Sequence, residues 1–264
     1  MTSRESKMYG ELKARSRSLL QGYDDEDLHQ LRITLRRIRS LLKLRPGGKA
    51  RRLRRDLGML AATTNPARDW DTLLIHARNT LSREQLDCLQ PGLAESQAAT
   101  HQTVLDMLRS KQWSVTTKAW KEYARDKNFG SNLPSGSRKD LVQAQHQVAK
   151  ARHRALACDD EKNWHKLRIA VKELRYKLQN FPKRTRKPET VITLALCKRL
   201  QEDLGTWHDT VVHRQLLHEW LDGQKGDAES CVVNSLYQMI EQEGQECLDR
   251  IRIALEQQDI DFPG

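Results

Sequence analysis

Aromatic residues make up only 5% of this chain, and glycine (13) and proline (7) are sparse across its 264 residues. A sheet protein needs frequent turns and aromatic or β-branched strands, so this profile argues for long amphipathic helices instead. No apolar run approaches the ~18 residues that a membrane-spanning helix requires. The first residues, Met1 to Lys7, lack the apolar stretch of a signal peptide. The five cysteines are odd in number and widely spaced, with no C-x-x-C pair. That excludes a disulfide framework and predicts reduced thiols in a reducing compartment, hence a cytoplasmic protein. The cysteines, and the pair Trp113 and Trp120 on one helical face, are expected in the core.

Catalytic signatures are missing too. There is no Walker loop, G-x-S-x-G, H-E-x-x-H or G-x-G-x-x-G. His208, His213 and His218 recur at intervals of five and scatter around a helix, so no metal site is expected. The sequence is read as that of a non-enzyme without cofactor or metal. Acid is missing in one place above all. Residues 32–55 hold eleven Lys and Arg and no Asp or Glu, in a chain of net charge +11. Such concentration points to an anionic partner: nucleic acid, an anionic membrane surface or a phosphate polymer.

What is present is a repeat. Residues 29–39, His-Gln-Leu-Arg-Ile-Thr-Leu-Arg-Arg-Ile-Arg, recur half a chain later at 165–175 as His-Lys-Leu-Arg-Ile-Ala-Val-Lys-Glu-Leu-Arg. On a helix, His29, Arg32, Arg36, Arg39 and Lys43 share an arc about 80° wide. Leu28, Leu31, Leu35, Ile38 and Leu42 occupy the adjoining arc. In the second copy His165, Arg168, Lys172 and Arg175 take the cationic angles, and Trp164, Leu167, Val171, Leu174 and Leu178 the apolar ones. An ordinary surface helix points its charges away from the core. Here a cationic row borders the buried stripe, where a groove between packed helices lies. The repeat continues past the motif. Asp56-Leu57-Gly58 precedes Arg68-Asp69-Trp70-Asp71, and Asp203-Leu204-Gly205 precedes Trp207-His208-Asp209. In that register Arg51 and Arg52 match Lys198 and Arg199, which adds a basic pair to each half.

The remaining pattern predicts an all-α chain. Helices are expected at 3–21, from Asp24 or Asp25 to Pro46, and at 49–63 and 67–80. Another starts at Ser82, is interrupted at Pro91-Gly92 and continues to about 111. The second half offers helices at 138–157, 161–180, 189–205, 207–222 and 228–257, with a basic loop at 181–188. Residues 127–137 are expected to join halves 1–128 and 137–264. Every proline is placed at a boundary or loop.

These motifs resemble the CHAD domain family, the conserved histidine α-helical domain, over essentially the whole chain. The resemblance implies one domain, 1–264, of two pseudo-symmetric four-helix bundles around a central basic channel. It also implies binding of inorganic polyphosphate and location on polyphosphate granules. On that reading the ligand contacts are His29, Arg32, Arg36, Arg39, Lys43, Arg51 and Arg52 in one half. In the other they are His165, Arg168, Lys172, Arg175, Lys198 and Arg199. Phosphate or sulfate ions are expected to occupy the same site. Lys172-Glu173 stands where the first half has Arg36-Arg37, so the second half is less basic. No Glu-x-Glu-x-Lys triphosphatase pattern occurs, which suggests a stand-alone binding module. Nucleic acid is the competing partner, disfavoured because aromatics do not interleave with the rows, Tyr176 apart. Beside so many arginines, Asp69, Asp71 and Asp209 are expected to orient them by salt bridges.

Overall fold

The computed structural model describes residues 3–43, 45, 47–125, 138–180, 188–223 and 227–257. The described residues form ten α-helices and no strand. The chain divides into two compact units, Met1–Pro134 and Ser135–Gly264. The expected connection at 127–137 lies outside the described residues, as does the basic loop up to residue 187.

The first unit contains α1 (Ser3–Gln21), α2 (Asp25–Lys43), α3 (Gly48–Thr63), α4 (Asn65–Thr80), α5 (Arg83–Arg109) and α6 (Lys111–Ala124). Helix α1 packs on α2, α2 on α3, α3 on α6 and α6 back on α1, which closes a ring of four. The predicted apolar stripe of α2 is the middle of it. Leu28, Leu31, Leu35 and Ile38 have no exposure, and Leu12, Leu57 and Trp120 close around them. Each such leucine stabilises the fold by roughly 1.5–3 kcal/mol relative to an exposed one. Helices α4 and α5 form a hairpin that packs against this ring.

The second unit contains α7 (Arg138–Ala157), α8 (Glu161–Asn180), α9 (Pro188–Gly223) and α10 (Asp227–Gln257), each packed on the next. Its core joins Val148, Trp164, Leu167, Val171, Leu200 and Ile251. At Gly244 an added Cβ would lie 2.7 Å from the Thr210 hydroxyl, so only glycine lets α10 approach α9 there.

The two motif helices open with the same device. Asp24 accepts the Asp27 amide at 2.9 Å, and Asp160 accepts the Asn163 amide at 2.7 Å. Each cap residue stands five positions before its histidine and satisfies an orphan donor of the first turn. Helix α2 adds Asp25, Glu26 and Asp27 in its first turn, which suits the helix dipole.

Two expected breaks are absent. Helix α5 runs through Pro91. Proline forfeits one backbone bond, but Pro91 is exposed while Leu89 and Leu93 beside it are buried, so packing holds the helix straight through. Helix α9 runs through Gly205 and Thr206. A helical glycine costs about 1 kcal/mol against alanine. The buried Leu200, Leu204 and Trp207 on either side outweigh that cost. The cysteines are free thiols, but only Cys197 and Cys247 are buried, and Cys158 and Cys231 are exposed. Trp113 and Trp120 are both in the core.

Candidate anion-binding site

In the first unit α2 carries the cationic row along the border of its buried stripe. His29, Arg32 and Arg39 are half-buried, and Arg36 and Lys43 are exposed. Arg36 and Arg39 make no ion pair among the described residues. The Arg39 guanidinium lies against α3 at Gly58, where a Cβ would meet its Nη2 at 3.4 Å. Its Nε is buried and has no hydrogen-bond partner. A buried donor without a partner is costly.

Arg32 behaves differently. Its Nη1 donates to the Thr64 hydroxyl at 2.5 Å, to Asn65 Oδ1 at 2.9 Å and to the Ala61 carbonyl at 3.4 Å. Those acceptors are the end of α3 and the start of α4, so Arg32 staples the junction. Burial pushes its pKa below the ordinary arginine value, with Asp69 opposing and Arg36 and Arg68 adding to the shift. Arg32→Ala should therefore lower stability by about 1–3 kcal/mol, while Arg36→Ala should stay within about 0.5 kcal/mol of the parent. Equal urea midpoints for the two variants would refute the staple.

The helices facing α2 supply further cations. Arg51, Arg54 and Arg55 share, within about 60° of helical rotation, the side of α3 on which Gly58 meets Arg39. Arg52 lies about 120° away from that side. Arg55 is only loosely paired with Asp56, at 3.5 Å. From α4, Arg68 reaches the start of the row. The His29 imidazole is held below its ordinary pKa by burial first, then by the charges of Arg68, Arg36 and Arg32, with Glu26 opposing. Arg68 thus completes a cluster with His29, Arg32 and Arg36. It stood in the quoted repeat but outside the expected contacts.

In the second unit His165, Arg168, Lys172 and Arg175 are all half-buried along α8. The Arg175 Nε is buried without a hydrogen-bond partner, as is that of Arg39, its equivalent in the repeat. Its guanidinium lies 4.9 Å from the Tyr176 ring. Opposite, α9 presents His208, whose ring is 5.1 Å from that of His165. Burial pushes the His208 pKa down to about 4, helped by Arg168, His165 and Lys172. Its spacing to His213 and His218 argues only against a metal site and does not point to this pairing with His165. The useful signal was its register with Arg68, one residue before the motif aspartate in each half. Gln201 is on nearly the same face of α9, with a buried Oε1 that has no partner. Lys198 is about 80° from His208 around α9, and Arg199 about 180°, so Arg199 faces away from the α8 row. Cys197 faces Arg175, yet burial pushes its thiol up to about 12.

The carboxylates correct an expectation. Asp71 does not orient an arginine. It is buried at 2% exposure and accepts from Tyr23 Oη at 2.8 Å and Gln97 Nε2 at 2.9 Å, with His101 Nε2 at 2.8 Å. The α4–α5 hairpin takes this carboxylate inward, away from the row. Asp69, by contrast, does act on Arg32 through its charge. No group of three His, Cys, Asp or Glu among the described residues could hold a metal ion. Nor is any described helix long and apolar enough to cross a membrane.

Fold and site together define an all-helical protein of two compact units, each built on an Asp-capped helix that carries a histidine and a cationic row beside its buried stripe. The chain belongs to the CHAD domain family, whose profile matches residues 6–218. It is similar to the crystal structure of the CHAD domain from the plant Ricinus communis, at 26% identity and a TM-score of 0.73, covering 96% of this chain and 89% of that one. PptA from Streptomyces chartreusis shares the fold at a TM-score of 0.64 and 15% identity, covering 96% of this chain and 99% of that one. None of the curated proteins matches.

Proposed function

We propose that this protein binds inorganic polyphosphate without transforming it, through the cationic rows of α2 and α8. The carrying observation is the pair of equivalent cationic rows, His29, Arg32, Arg36 and Arg39 on α2 and His165, Arg168, Lys172 and Arg175 on α8, each part-exposed along the border of a buried stripe. Arginine suits this task because its planar fork grips phosphate oxygens two at a time. Family membership supports the reading, since CHAD domains are associated with polyphosphate. Polyphosphate carries repeated charge and no bases, and the rows offer few aromatic platforms on which bases would stack. A ligand long enough to engage both rows gains from their linkage in one chain. Association with polyphosphate granules follows from such binding.

The test is competition. Long-chain polyphosphate should displace labelled polyphosphate at concentrations where RNA and DNA of matched charge do not. Affinity should fall steeply with salt, and Arg36→Ala should reduce the slope of log K against log salt by about one. Tighter binding of the nucleic acids would assign the rows to them instead. Incubation with polyphosphate and a divalent metal should leave chain length unchanged.

Binding should also take up protons. Phosphate beside His208 offsets the cations that, after burial, hold its pKa at about 4, and so raises it. Affinity should therefore increase as pH falls through that raised value toward about 4. Calorimetry in buffers of different ionisation enthalpy reads the uptake. His208→Asn should lose part of it, and an unchanged uptake would remove His208 from the site.

A further inference from the structure

In the ring of α1, α2, α3 and α6, the edge between α1 and α6 lies across the bundle from the α2–α3 edge that carries the row. That far edge is also basic. An open groove of about 560 Å³ runs along it. Lys13 and Arg17, one helical turn apart on α1, form one wall. Lys118 and Lys121 on α6, with Arg125 capping its end, form the other. Glu122 is the one acid that lines the groove, and none of these five cations is in an ion pair among the described residues.

A solvated helix face is commonly laced with acids three or four residues from its cations. Here a single acid, Glu122, stands within three or four residues of Lys118 and Arg125, and none does so for Lys13, Arg17 or Lys121, while the two cationic walls face each other across a cleft. Their mutual repulsion is relieved only by solvent or by a bound anion. The aromatic lining decides which anion fits. Trp113 is at the groove but only 7% exposed, and the Tyr9 ring is covered by the Lys121 ammonium at 5.0 Å. The groove thus offers little open aromatic surface on which a base could stack, so nucleic acid gains little here beyond its backbone charge. A flexible chain of phosphates needs only the cations.

We infer that the α1–α6 edge is a second binding groove for an extended phosphate polymer, separate from the α2 row, so that one molecule holds two chains. The inference rests on the polyphosphate reading above and adds a second place of contact to it. Its consequence is cross-linking: a molecule with polyanion grooves on opposite edges of one bundle joins separate polymer chains.

The test counts chains and measures cross-linking. Titration with short-chain polyphosphate gives the number bound per protein, and light scattering with long-chain polyphosphate gives cross-linking. Lys118→Glu/Arg125→Glu should bind one short chain fewer than the parent and lose most of the scattering, while the affinity of the remaining sites is unchanged. Lys13→Glu/Arg17→Glu, from the opposite wall, should do the same, so a folding fault in one variant does not decide the matter. Arg78→Glu/Arg83→Glu changes net charge equally on exposed positions elsewhere and should keep both readouts. The inference is overturned if both groove variants retain the parent stoichiometry and scattering, or if the control loses as much as they do. It is also overturned if an RNA oligonucleotide of matched charge outcompetes polyphosphate for the chain that those variants lose. A parent protein that binds no polyphosphate at all would instead bring down the function proposed above. A parent whose every bound chain disappears with Arg36→Glu/Arg39→Glu would leave that function standing and remove the second groove.

Discussion

Arg36→Glu/Arg39→Glu should weaken long-chain polyphosphate binding by about 100-fold or more. Each arginine faces the proposed ligand without an ion pair to occupy it. A hydrogen bond to a charged group contributes roughly 1.5–3 kcal/mol, so losing two costs about two orders of magnitude. The introduced carboxylates add repulsion. Glutamate is as good a helix former as arginine, and neither position is in the apolar stripe. Circular dichroism should stay helical, and the urea midpoint should hold. Lys172→Glu/Arg175→Glu is the matching change in the second unit. It should be damaging but milder, because α9 opposes that row with a neutral His208 and Gln201, where α3 and α4 oppose α2 with Arg51, Arg54, Arg55 and Arg68. Short chains, which need only one row, should be less sensitive to either change. If the second double variant keeps wild-type affinity for long chains, the α8 row is not part of the site.

The difference between the units shows what a sequence carries and what it conceals. The motif helices were legible because a stripe of period 3.6 and a terminator agree on both, and the first adds an acidic start at Asp24 or Asp25. Helices α7 and α8 fall at the residues expected. Local signals misled where packing overrides propensity, as at Pro91 and Gly205, both of which are held helical by buried neighbours. They also misled where a residue's partner is distant in sequence. Arg32 shares the phase of Arg36, and nothing local says that α3 ends within its reach. His208 is unremarkable in its own helix and meets His165 only because α8 and α9 pack together. Asp71 stands near arginines in sequence, but its partners are Tyr23, Gln97 and His101, contributed by other elements. Periodicity finds faces; it does not find which side chains meet across them.

That buried carboxylate carries the largest stability effect expected in the first unit. Asp71 gathers three groups: Tyr23 from the connection before α2, and Gln97 and His101 from α5. The Tyr23 and His101 rings stack above it, centroids 3.5 Å apart and 14° from parallel. Asp71→Ala leaves these half-buried polar groups without their common partner, and the loss should be about 3 kcal/mol. Tyr23→Phe removes one bond and should cost about 1 kcal/mol. The pH dependence carries the same signature. Burial raises the Asp71 pKa, but bonds from His101, Tyr23 and Gln97 outweigh it, and the net shift is downward. A carboxyl lowered on folding stabilises the protein above its ordinary value of 3.8, and that contribution fades as pH falls through the folded value. Tyr23 is shifted upward, by burial first and then by Asp71. A phenol kept neutral on folding stabilises below its ordinary value of 10.0, and stability declines as pH rises beyond it. Asp71→Ala should therefore flatten both the acid and the alkaline limbs of the stability profile, whereas Tyr23→Phe should flatten mainly the alkaline one. Urea unfolding across pH reads all of this, and a variant with the parent midpoint at neutral pH would show that the network contributes nothing. Because Arg68 is one turn before Asp71 on α4, loosening this anchor should also let Arg68 shift from its place near His29 and weaken polyanion binding several-fold.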